Sequence, residues 1–138
     1  MNELIKAIFA LYAGVGGGTL RTATPGGMWL SQAPQQASGA YIVVTPVAAP
    51  VSYVQGTNST KNYTQDCDVQ LMVSTLAGTA TDIVGAMNAI HSLFDFCALT
   101  MTGYTLLAAR RLSDHGPIRD DDTRGYAGYV EYRFTIGS

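Results

Sequence analysis

The chain has 138 residues and a formal net charge of -2, from eight Lys and Arg against ten Asp and Glu. A chain of this size forms one domain with one core. Only 13% of its residues are charged and 47% are hydrophobic. This balance argues against a basic nucleic-acid-binding domain and leaves a neutral or apolar surface of the kind that protein interfaces use. The apolar stretch Ile8 to Val15 is too short to span a membrane, so we expect a soluble protein.

The first half of the chain predicts one helix followed by extended segments. Asn2 is placed to cap a helix whose apolar residues fall on one arc, and Gly14 ends it. The stretch from Gly14 to Gly27 is rich in Gly, Thr and Pro, so we expect a loop with one short extended part. Strands are predicted at 28–32 and 41–47, and these two are able to pair.

The second half begins with a polar segment at about 48–62, which we expect to form a protruding arm. A half-buried strand at 62–75 follows, and Gly78 and Thr79 open a second helix that runs to about Phe96. A strand at 99–112, a charged loop at 113–125 and a last strand at 126–136 complete the chain. Strands and helices do not alternate regularly along the chain, as they would in a parallel sheet. We therefore predict a single α+β domain over residues 1–138, with a mostly antiparallel β-sheet packed against two α-helices.

The second helix has small residues opposite its apolar arc. Gly85, Ala89 and Ser92 stand where long charged side chains are usual on an exposed face. Small residues allow another backbone to approach closely, so this face is a candidate contact surface between subunits or with a partner. The alternative is a helix face that is simply open to water.

Two sequence features resemble ligand sites but lack the necessary partners. The glycines at 14–18 follow a helix instead of opening one, and no Gly-Lys-Ser/Thr is present, so a connector is predicted rather than a phosphate loop. Asp66 and Asp68 project from one face of a strand, but no third metal ligand is evident nearby in the sequence. We therefore predict no metal site and no cofactor.

The sequence also gives no catalytic pattern. His91 and His115 have no nucleophile or carboxylate beside them in a known triad arrangement. Cys67 and Cys97 lie on or beside apolar faces, which favours reduced core residues over nucleophiles. We predict that the protein is not an enzyme.

A cluster of charges lies just before the last strand. Solvated loop residues are the default interpretation, and salt bridges between subunits are the functional alternative. Arg110 and Arg111 are candidate partners, and because they project to opposite faces of a strand, only one of them can face a given interface. The candidate interface residues in this region are Arg110, Arg119, Asp120, Asp121, Asp122 and Arg124.

Three segments in a fixed order resemble the tail terminator, or tail completion, proteins of long-tailed bacteriophages. The first is Ala33-Pro34 followed by Tyr41-Ile42-Val43-Val44, and the second is Val69-Gln70-Leu71-Met72-Val73 running into the helix from Thr79. The third is Gly128-Tyr129-Val130-Glu131-Tyr132-Arg133-Phe134. The similarity of element order extends over nearly the whole chain.

The resemblance implies a structural virion protein that forms a homo-oligomeric ring, usually a hexamer, at the head-proximal end of the tail tube. Such a ring ends tube growth and docks the tail to the neck or connector protein, and DNA passes through its lumen without specific binding. Assembly would take place in the host cytoplasm. Two alternatives stay open: another neck, connector or tube component, and a dimeric α+β module that binds a small ligand.

Overall fold

The computed structural model describes residues 2–33, 39–49, 51–53, 63–76, 78–119 and 125–137. Over these residues three α-helices and a 3₁₀ helix accompany a seven-stranded sheet. The helices are α1 (Asn2–Ala13), the 3₁₀ helix (Val15–Gly17), α2 (Gly18–Ala23) and α3 (Ala80–Phe94). The strands are β1 (Met28–Leu30), β2 (Tyr41–Ala48), β3 (Val51–Tyr53), β4 (Tyr63–Thr75), β5 (Thr100–Met101), β6 (Tyr104–Arg119) and β7 (Tyr126–Gly137).

The sheet runs in the order β1-β2-β4-β7-β6-β5, and β3 pairs with β4 beyond the end of β2. Strand β1 is parallel to β2, whereas the other described pairs are antiparallel. The α+β class and the mostly antiparallel pairing are confirmed, but the sheet is mixed and the helices number three among the described residues instead of two.

The core forms where β4 and β7 turn alternate residues toward α3. In β7 the residues on this side are at most 1% exposed, as the alternation in the sequence predicts. They are Val130, Tyr132, Phe134 and Ile136. On β4 the matching residues are Cys67, Val69, Leu71 and Val73. Helix α3 contacts β4, β6 and β7 and closes this core from one side.

The segment from Gly14 to Gly27 is helical for much of its length, so the prediction of a loop there is wrong. The guanidinium of Arg21 donates hydrogen bonds to the backbone carbonyls of Tyr12 and Gly14, which ties α2 to the end of α1. Leu20 is 1% exposed and anchors α2 in the core. Tertiary contacts therefore override the weak helix propensity of glycine and threonine here.

Among the described residues, no single helix is long and apolar enough to cross a membrane. The segments Asn2–Ala13 and Val15–Ala23 together have the length and apolar composition of a membrane span, but they meet at a bend of 68°. Leu4 and Ile8 of α1 are fully buried in the core.

Helix α3 begins where the sequence predicts. Thr79 caps it: the backbone N–H of Asp82 donates to the Thr79 hydroxyl, and the Thr79 N–H donates to the Asp82 carboxylate at 2.8 Å. Gly128 of β7 lies directly beneath the helix, where a Cβ atom would meet Met87 and Ile83.

The region after α3 differs from its prediction in two ways. The segment predicted as one strand at 99–112 is a β5–β6 hairpin followed by the first part of β6, and Gly103 takes a φ of +79° at the turn. Strand β6 then continues to Arg119, so much of the predicted loop at 113–125 pairs with β7. The β6 register shifts at three places, so apolar and polar residues do not alternate regularly along this strand.

The polar arm predicted at about 48–62 lies mostly outside the described residues. Its described part includes β3, which pairs with residues 63–65 of β4. Residues 120–124, which hold four of the predicted interface residues, also lie outside the described part of the chain.

Candidate interaction surfaces

The small-residue face of α3 is partly as the sequence predicts. Gly85 is exposed, with open space where a Cβ atom would project, and Ser92 is exposed with its hydroxyl donating to the Asn88 carbonyl at 3.1 Å. The placement of Ala89 on this face is wrong, because Ala89 is buried in the core cluster. Helix α3 contacts α2 as well as the sheet, so its buried arc is wider than a helix packed on one side would have. The contact role of Gly85 and Ser92 stays a prediction.

The two adjacent arginines of β6 do project to opposite faces. Arg110 pairs in register with Arg133, on the sheet face away from α3, whereas Arg111 pairs with Tyr132 on the core side. Arg110 and Arg119 are both exposed, and the structure leaves their predicted interface role untested.

A polar cluster occupies the sheet face away from α3. The guanidinium of Arg133 donates to both carboxylate oxygens of Asp68, at 2.8 and 3.0 Å, and the hydroxyl of Thr135 donates to Asp66 at 2.7 Å. The hydrogen bond from Arg133 holds the pKa of Asp68 below its ordinary value. Both carboxylates that suggested a metal pair in the sequence are thus engaged by cross-strand neighbours. In the described part of the chain, no group of three or more metal-binding side chains comes together.

A second polar cluster joins the end of α3 to β6 and β7. His91 Nε2 lies 2.9 Å from the Asp114 carboxylate, and Arg111 contacts Asp114 at 3.1 Å and Asp95 at 3.5 Å. The Tyr132 hydroxyl donates to Asp95 at 2.7 Å. The expectation that His91 has no carboxylate beside it is therefore wrong. Residues 23 apart in the chain meet here, and no local spacing pattern in the sequence signals such a pair.

This cluster joins α3 to the sheet through hydrogen bonds and ion pairs. Burial, followed by the hydrogen bond to Asp95, raises the pKa of Tyr132 well above its ordinary value, so the phenol keeps its proton and donates. Burial also raises the pKa of the Cys97 thiol, to about 11, and raises that of Cys67. Neither cysteine is a thiolate at neutral pH, and thiolate is the nucleophilic form.

A groove of about 490 Å³ lies between the turn after α2 and the start of α3. Small residues line much of it, including Ala23, Gly39, Ala40, Gly85 and Ala86. It opens at the surface beside the exposed face of α3. It is therefore an open groove at the surface.

Comparison with known proteins gives a structural likeness without a family. No protein-family model matches the chain, and no curated protein matches it. A solved chain from the "Virion of native gene transfer agent (GTA) particle" matches with a TM-score of 0.70 at 15% identity, covering 99% of this chain and 96% of that chain. A second solved chain matches with a TM-score of 0.53 at 16% identity, covering 97% of this chain and 95% of that chain. At these identities the likeness shows a shared fold over nearly the whole length of each chain.

Proposed function

We propose that the protein is a structural component of a phage-like virion. One observation carries this proposal: the fold matches a chain of a gene transfer agent particle over 99% of its length, with no large part of either chain left over. Because nearly all of both chains is covered, the match involves the whole fold of each chain and not a substructure that many folds share. Fold alone does not determine function, but the composition agrees, since the low charge content suits a subunit that buries much of its surface on assembly.

Within the virion, we propose that the protein forms a ring at the head-proximal end of the tail tube, ends tube growth and docks the tail to the neck. The support is the order of the segments 41–44, 69–73 and 128–134, which resembles tail terminator proteins and which the fold places on β2, β4 and β7. The net charge of -2 suits a lumen that DNA crosses without being held.

The first test is the size of the purified protein, alone and with assembled tail tubes. Mass photometry and negative-stain microscopy are expected to show a closed ring, which caps one end of each tube and prevents its extension by added tube protein. A protein that stays monomeric at high concentration and leaves tube ends free to grow would contradict the ring proposal.

The alternative is another component of the same particle, such as a connector, neck or tube subunit. The likeness to a virion chain supports this role equally, because it concerns the particle and names no position within it. Gold-labelled protein on assembled particles separates the two candidates. Label at the upper end of the tube supports the terminator, label along the tube supports a tube subunit, and label on tail-less capsids supports a connector.

A further inference from the structure

The exposed large hydrophobic side chains concentrate at two opposite edges of the sheet. At one edge lie the residues that we call the β6 patch: Leu107, Leu112 and Ile118 are spread along β6, and Phe96 lines the same groove as Leu107. At the other lies the β1–β2 patch, which consists of Trp29, Leu30 and Val47. Strands β4 and β7 separate β2 from β6, so the patches are about 14 Å or more apart at the usual strand spacing.

Bulges direct three of these side chains outward. The register skips one residue between Pro46 and Ala48, one between Leu106 and Ala108, and one between Arg111 and Ser113. The skipped residues are Val47, Leu107 and Leu112, which are 56%, 57% and 43% exposed. Bulges and polar side chains at a sheet edge commonly prevent the edge strand from pairing with another strand. Here each of the three presents an aliphatic side chain to the outside.

Backbone strain accompanies both patches. Phe96 is 90% exposed and has a φ of +55°, a conformation that a bulky side chain rarely adopts. Ser31, next to Leu30 in the other patch, has a φ of +62°. Backbone strain of this kind clusters at functional sites.

The charges around the two patches permit contact between them. At the β6 edge, Arg111 is already paired with Asp95 and Asp114 of the same chain. At the other edge, the sequence from 25 to 33 and from 39 to 49 contains no charged residue. An interface between them therefore brings together no like charges from these segments.

We propose that copies of this chain join head to tail, with the β6 patch of one copy against the β1–β2 patch of the next. This inference rests on the ring proposed above and names its subunit contact. Two unlike patches on opposite sides of one subunit produce a heterologous interface, which generates a closed ring when the rotation between copies permits. Side chains make the contact instead of a continued sheet, because the bulges and Pro117 interrupt the β6 edge.

The test uses one charged variant for each patch, Leu107→Lys and Val47→Lys. Val15→Lys is the matched control, because Val15 is 100% exposed and lies in neither patch. Gly85→Glu tests the α3 face that the sequence predicts as a contact. Circular dichroism and thermal melting establish that each variant is folded, and native mass spectrometry measures its assembly.

We expect each patch variant to be monomeric at concentrations at which the wild type and Val15→Lys form rings. An equimolar mixture of the two patch variants should give dimers, since each retains the patch that the other lacks. Loss of rings in Gly85→Glu would support the separate prediction that the α3 face is also a contact.

Three outcomes would overturn this contact: rings in either patch variant alone, dimers of a single patch variant alone, or a mixture that stays monomeric. If the wild type forms rings in these experiments, the proposed ring function stays supported and only the proposed contact is overturned. A wild type that is monomeric with and without tail tubes overturns the ring and this contact together.

Discussion

Replacing Gly128 with alanine is expected to destabilise the protein by wedging α3 away from the sheet. A Cβ atom at this position would lie 2.5 Å from the Met87 sulfur and 2.9 Å from a methyl carbon of Ile83. Comfortable contacts lie near 3.5–4.0 Å, so Met87 has to retreat by roughly 1 Å. Ile83 is fully buried and Met87 is 6% exposed, so both belong to the packed core that the new methyl group would disturb.

The expected magnitude is the difference of two effects. Overpacking a core costs about 1–3 kcal/mol, and replacing glycine by alanine where the backbone allows it recovers roughly 0.5–1 kcal/mol. We expect a net loss of about 1–2 kcal/mol, which corresponds to a fall in Tm of roughly 3–8 °C for a domain of this size. Urea denaturation at one fixed protein concentration measures it, because assembly makes apparent stability depend on concentration.

A double-mutant cycle with Met87→Ala identifies the cause. Met87→Ala alone should cost about 2–5 kcal/mol by leaving a cavity. With both changes the new methyl group occupies part of that cavity, so the double variant should be more stable than the sum of the single losses by about 1 kcal/mol. An unchanged unfolding midpoint for Gly128→Ala, or strict additivity in the cycle, would refute the close approach of α3 to β7.

Three further predictions concern other described contacts. Gly85→Ala should raise the free energy of unfolding by about 0.5–1 kcal/mol in urea, because the added methyl group meets open space on a helix. Asp68→Asn should lower stability at pH 7 and flatten its decline in acid. The lowered pKa of Asp68 contributes stability that is present above the ordinary aspartate pKa of about 4 and lost as pH falls through the folded-state value; equal pH profiles for variant and wild type would contradict this. Tyr132→Phe should cost about 1–2 kcal/mol by removing the donor to Asp95. A smaller loss in an Asp95→Ala background, which has no side-chain acceptor, would identify that hydrogen bond, whereas an equal loss would assign the cost to packing.

The sequence predicts an element well where a pattern within that element's own residues determines its structure. The alternation in β4 and β7 is visible because each strand has one face in the core. The start of α3 is visible because Thr79 and Asp82 form the capping box within four residues. In these places local sequence and tertiary structure favour the same conformation.

The elements predicted poorly depend on contacts between distant residues or on breaks in a pattern. Helix α2 follows a run of glycines and is fixed by Arg21, whose hydrogen bonds to Tyr12 and Gly14 have no sequence signature. Strand β6 changes phase at each bulge, so Leu107 and Leu112 do not follow the alternation around them. The sequence predicts contacts on α3 and in the charged loop, and the three bulged residues are not among them, because bulges become visible only in the strand register.

The position of β7 constrains how the protein is made. β7 is the last strand in the sequence, yet it lies between β4 and β6 in the sheet. Its contact with β4 joins Asp68 to Arg133, 65 residues further on. During synthesis β4 can pair with β2 and β6 with β5, but one edge of β4 and one edge of β6 stay unpaired until β7 emerges between them. The central pairing of the sheet therefore forms only after β7 has been translated.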